Sequence, residues 1–134
     1  MRALWIGLTT AISAALFTLA DAPSPSFEPP GTRPPDAATR RKIDDLTRVL
    51  RTAIADLTKK GVKDSVLADV EVHLKAAEWI VRHNEFYHAD AGKWTVKVLE
   101  QGLQRAELAA KGEAPWQKTT GTSVVRGYRS RVDD

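Results

Sequence analysis

Between residues 36 and 116, apolar positions recur at three- and four-residue steps, the period of helices that bury one face. Ile43, Leu46, Leu50, Ile54 and Leu57 form the first stripe. Asp36 follows Pro35 and suits a helix start, where a carboxylate accepts from unpaired backbone N–H groups. A helix is therefore expected to run from Asp36 to about Lys60. Lys59 and Lys60 suit the negative end of its dipole, and Gly61 stands where a left-handed residue is wanted.

Leu67, Val70, Leu74, Ala77 and Val81 form a second stripe. Asp64 or Ser65 is expected to cap this helix, and Asn84 to stop it. Val66, Val72, Trp79 and Ile80 widen its apolar surface beyond one face, which predicts a central place in a bundle. A third helix is expected after Asp90. Trp94 or Thr95, Val98 or Leu99, Leu103, Ala106 and Ala110 form its inner face, and Gly112 ends it. Gly102 costs about 1 kcal/mol against alanine in mid-helix. Close approach of the second helix is the structural reason expected for it. The fold class is thus mainly α: a three-helix module over residues 36–116, with an αα-hairpin in its second half.

The flanks read differently. Ala3 to Ala20 carries no charge, follows Met1-Arg2, and ends in the small-residue pattern Thr18-Leu19-Ala20. A positive start, an apolar middle and a small-residue end form a secretory signal, so residues 1–20 are expected to direct export to the periplasm or medium. The alternative is a retained N-terminal membrane anchor, and the chain meets a membrane only in that case. Residues 21–35 hold six of the seven prolines and predict an extended linker. Residues 117–134 alternate β-branched, aromatic and basic residues in Thr122 to Val132 and predict an extended strand. Such a strand needs a partner for its backbone groups.

Composition narrows the chemistry. There is no cysteine, so disulfides, thiolate metal sites and a cysteine nucleophile are excluded. The formal charge is only +3, which argues against nucleic acid as a partner. His73 and His83 are ten residues apart on one helix, about 15 Å, too far for one metal ion. His83 and His88 straddle a helix end. Neither a phosphate-binding glycine loop nor a GxSxG elbow is present. Asp69, Glu71, Glu78 and Glu100 read as ordinary solvent-facing carboxylates. No catalytic, cofactor-binding or metal residue is assigned, and no cofactor is expected. The interaction surface expected from aromatic and arginine content comprises Trp79, Phe86, Tyr87, His88, Trp94, Arg126, Tyr128 and Arg129. At helical spacing the aromatic residues also read as core, and the arginines as charges protecting an edge strand.

Three stretches together carry a resemblance. The first is Asp69-Val70-Glu71-Val72-His73-Leu74-Lys75-Ala76-Ala77-Glu78-Trp79, continuing into Arg82-His83-Asn84-Glu85-Phe86-Tyr87. The second is Val98-Leu99-Glu100-Gln101-Gly102-Leu103-Gln104-Arg105-Ala106, followed by Ala114-Pro115-Trp116. The third is Gly121, then Val124-Val125-Arg126-Gly127-Tyr128-Arg129-Ser130-Arg131-Val132-Asp133. Over residues 36–133 this resembles the N-terminal region of planctomycete-type secreted α/β-hydrolase-like serine peptidases and esterases of the prolyl-oligopeptidase-like kind. The resemblance implies that the third stretch leads into the first strands of a hydrolase domain, supplied in cis or in trans. It also implies that the nucleophile, acid and histidine of such an enzyme lie beyond residue 134. The function expected is a non-catalytic accessory module. The alternative is a free-standing, exported helical interaction module, loosely like a tetratricopeptide repeat.

Overall fold

The computed structural model describes residues 28–130. The expected signal, residues 1–20, and the first part of the linker lie outside the described residues, as does Arg131. Three helices form the body: α1 Ala37–Lys59, α2 Asp64–His83 and α3 Ala91–Ala110. A short 3-10 turn follows at Pro115–Gln117. No described helix is long and apolar enough to cross a membrane.

The helix ends follow the local chemistry. The Asp36 carboxylate accepts from the Ala38 and Thr39 amides, each at 2.9 Å, and so caps α1. Gly61 closes α1 at φ 68°, and Asn84 closes α2 in the left-handed region at φ 53°. One expected cap is displaced, and another holds its position without a cap bond. Lys63, not Asp64 or Ser65, occupies the cap position of α2, and it makes no side-chain cap bond. Asp90 occupies the cap position of α3 as expected, but its carboxylate accepts from the Lys93 ammonium at 2.9 Å and makes no side-chain cap bond.

All three helix pairs pack, and α3 contacts the other two most extensively. The expectation of a central α2 is corrected. Its additional apolar residues do not all point inward: Trp79 is 50% exposed and Val72 only half-buried. The core is built from Ile43, Leu50 and Leu57 of α1, Val70 and Ala77 of α2, and Leu99 and Ala106 of α3, with Phe86 from the α2–α3 loop. Side chains of the larger kinds contribute about 1.5–3 kcal/mol each when fully buried.

Gly102 is where α3 meets the other two helices. A Cβ there would lie 2.7 Å from Leu50 Cδ2 and 2.8 Å from His73 Cβ. The glycine therefore permits a close approach to both α1 and α2. The end of the proline-rich linker is seated as well. The Arg33 amide donates to the Phe86 carbonyl, Asn84 Nδ2 donates to Thr32 Oγ1, and Pro35 packs over Gly92.

The C-terminal segment departs from expectation. Among the described residues it contains no strand. Its polar groups find partners on helices, as described next.

Gly102→Ala adds helix propensity but overpacks the three-helix contact, and overpacking costs about 1–3 kcal/mol. The variant is expected to be less stable than the parent by up to about 2 kcal/mol net, read as a lower urea midpoint at unchanged slope.

Candidate functional site

Asp69 stands in the first half of α2, within the apolar run Val66-Leu67-Ala68-Asp69-Val70. Its side chain is 0% exposed. Removing a carboxylate from water costs several kcal/mol unless donors replace the lost hydration. Four residues do so. Trp116 Nε1 and Gln117 Nε2 each donate to Oδ2 at 3.0 Å. Arg126 Nε lies 2.9 Å from Oδ1 and 3.1 Å from Oδ2. The Gly127 amide donates to Oδ1 at 2.8 Å. Burial alone would raise this carboxyl's pKa. The bonds from Arg126, Gln117, Gly127 and Trp116 outweigh it and hold the group below its ordinary value.

The donors come from the 3-10 turn and from the segment that follows it, so Asp69 clasps the C-terminal arm to α2. Arg105 of α3 reinforces the clasp. One guanidinium nitrogen donates to the Asp69 carbonyl at 3.0 Å and to the Val125 carbonyl at 2.8 Å. The same guanidinium lies over the Trp116 ring at 5.0 Å. Two residues beyond Gly127, Arg129 pairs with Glu71 at 2.6 Å and Asp64 at 3.1 Å. Gly127 itself is required by space: a Cβ there would overlap the Ala68 carbonyl and lie 2.8 Å from the Asp69 amide nitrogen.

One turn further along α2, His73 is also buried, at 4% exposure, and its Nε2 has no hydrogen-bond partner. Burial, then the Arg105 cation, lowers its pKa, against a smaller opposing pull from the Val98 carbonyl and Asp69. The imidazole is therefore held neutral under Gly102. A cleft of about 350 Å³ opens beside it, with Gln101, Gln104 and Ser123 on its wall.

The reading of Asp69 as solvent-facing is corrected. The missed signal was its place in an apolar run, which demands donors from elsewhere. Those donors, Trp116 and Arg126, are 47 and 57 residues downstream, so no local spacing announces them. With its lone-pair positions filled by four residues, the carboxylate has no free position to take a proton from a substrate.

The other expected surface residues separate into groups. Phe86 is 0% exposed and belongs to the core. Trp79, Tyr87 and Trp94 are 45–54% exposed. The expectation that aromatic residues at helical spacing are core holds for none of these three. Trp79 lies against the His83 ring, with centroids 4.9 Å apart. His88 stacks on Trp94 at 4.7 Å and 13°. Arg126 and Arg129 are committed to carboxylates, while Tyr128 between them is 86% exposed. Among the described residues no group of three or more histidines and carboxylates is placed to hold a metal ion.

Comparison of the chain with protein-family models, with curated proteins and with solved structures finds no match.

Asp69→Ala strands Arg126, Gln117 and Trp116 without their acceptor. The half-exposed Arg126 can rehydrate, so the cost is that of leaving the buried Trp116 donor without an acceptor, about 1–3 kcal/mol. Urea unfolding is expected to show that loss, and the Gly127 amide is expected to lose its hydrogen-exchange protection.

Besides the surface carboxylates Asp36 and Asp90, whose pKa values are also lowered, acid is expected to act on two buried groups. Both folded-state pKa values are depressed, so the stability each contributes is complete above its ordinary pKa. It is lost as pH falls through the folded value. For His73 the loss begins below about 6.5, and for Asp69 below about 3.8. The thermal midpoint should therefore decline in two stages between pH 8 and pH 3. His73→Gln should remove the upper stage and leave the lower one.

Proposed function

We propose that this chain is an exported, non-catalytic helical module that accompanies a serine hydrolase or peptidase domain, supplied in cis or in trans. One observation carries the reading. Asp69 belongs to the first stretch of the resemblance, and Arg126-Gly127 to the third. These are the residues that bond to each other in the clasp. Trp116 and Arg105, from the second stretch, complete the same network. A pattern whose separate parts meet in one buried cluster is a structural unit. Its result is an arm held at a fixed position on α2 and α3. Such a module orients what the arm leads into or touches, and it contributes no nucleophile itself. Export follows from the charge and hydropathy pattern of residues 1–20.

The reading as a free-standing, tetratricopeptide-like module has less support. In such arrays a helical hairpin leaves faces open for the next repeat. Here α1 covers the α2–α3 hairpin, and the arm occupies more of it.

A tagged full chain, expressed with its native leader, tests the proposal. It is expected in the exported fraction, carrying in cis or bound in trans a serine hydrolase that reacts with a fluorophosphonate probe. Retention inside the cell, or an exported chain associated with no probe-reactive species, overturns it.

A further inference from the structure

The clasp has the attributes of a peptide-binding site whose ligand is the chain's own arm. Within Val125 to Arg129 the helical body reads several features in turn. Arg105 reads the Val125 carbonyl. Asp69 reads the Arg126 guanidinium and the Gly127 amide together. The Ala68 backbone rejects any side chain at position 127. Glu71 and Asp64 read the second guanidinium. Tyr128 is left facing solvent. This amounts to recognition of an Arg-Gly-X-Arg segment by side chains and backbone of α2 and α3.

The arm is joined to the body by Lys118–Ser123, all exposed, with Gly121 in the left-handed region at φ 78°. The six residues 118–123 span roughly 20 Å if drawn out, about 3.3 Å each. A second copy whose Asp69 cradle lies within about that distance can receive the arm. Every contact of the clasp is made by side chains and backbone that any second copy also has, so exchange of the arm preserves all of them. The tether is the sole part whose conformation must change.

We propose that the Asp69 cradle is an exchangeable binding site for an extended Arg-Gly-X-Arg peptide, filled by the chain's own arm in the monomer and by the arm of a second copy in an arm-exchanged dimer. The inference uses the same clasp as the functional reading above but does not require a hydrolase. Its test reads arm exchange alone.

Two full-length variants with complementary defects provide the test. Asp69→Asn destroys the cradle and keeps an intact arm. Gly127→Val blocks the arm and keeps an intact cradle. Neither is expected to self-associate. Mixed, they are expected to form a 1:1 complex at twice the mass of one chain in light scattering, with affinity at least about tenfold above the self-association of either. Adding Asp69→Asn to the Gly127→Val chain should abolish the complex. Folded variants, by circular dichroism, that form no mixed complex overturn the proposal. A second measurement does not depend on these variants folding. The chain with a specific protease site inserted after Gly121 is cleaved, and a fluorescent peptide of residues 122–130 is added. The cleaved arm is expected to exchange for the peptide, and the same peptide with valine at the Gly127 position is expected not to enter. A cleaved arm that does not exchange, or equal binding of both peptides, overturns the proposal.

Discussion

One buried negative charge organises this structure. A carboxylate in the interior is tolerated only with its hydration replaced, and a single missing donor leaves part of that cost uncovered. Asp69 draws its replacements from Trp116, Gln117, Arg126 and Gly127, all of them beyond the last long helix. The C-terminal segment is consequently part of the folding unit and not an appendage. Its removal admits water to Asp69 and also deprives Arg105 of the Val125 carbonyl. Helix packing and arm docking are coupled through this one side chain.

The coupling is tight because two glycines remove the usual spacers. Gly102 lets α3 close on Leu50 and on His73, while Gly127 lets the arm lie against the Ala68 carbonyl. Both approaches fall on the same stretch of α2, between residues 68 and 73. That stretch is thus covered from two sides, which explains why a carboxylate and an imidazole, Asp69 and His73, are buried there. His73 is accommodated as a neutral ring, whereas Asp69 is accommodated as a charge with donors. Size accounts for part of the difference. The imidazole fits beneath Gly102 as a largely apolar body, but a carboxylate has little apolar surface to pack.

The helices were legible because their determinants are local. The apolar period, Asp36 before α1, Gly61 after it and Asn84 after α2 each act within one turn of the chain. The close approach at Gly102 was legible for a related reason: a glycine in mid-helix weakens the helix unless something needs the space. The clasp was not legible as a site. Its parts lie 36 to 58 residues from Asp69 and are ordinary residue types in isolation. The arm was read as a strand because β-branched residues alternate with arginines. Arg126 and Arg129 stand three apart, outside the two-residue period of a strand, and both meet helix carboxylates, while Val124 packs against the core. The aromatic residues split for a similar reason. Phe86 faces the core because the α2–α3 loop turns it inward, while Trp79 and Trp94 sit off the stripes that the helices bury.

Pairing also changes what the arm can present to a partner. By composition it is basic and invites a phosphate or an acidic ligand. In the folded chain Arg126 is spent on Asp69, and Arg129 on Glu71 and Asp64. The exposed pairs add little stability, about 0–1 kcal/mol each, but they cancel the charge locally. What remains outward is Tyr128 with Val125, an aromatic and an aliphatic surface at 86% and 56% exposure. The second exposed aromatic surface, around Trp79, lies ten residues along α2 from the clasp, about 15 Å of helix. A partner that touches the arm therefore meets a nearly neutral, tyrosine-centred surface and senses the clasp directly. A partner at the Trp79 end does not. An accessory role that depends on arm position must act through the first of these surfaces, because only there does the contact stand or fall with Asp69.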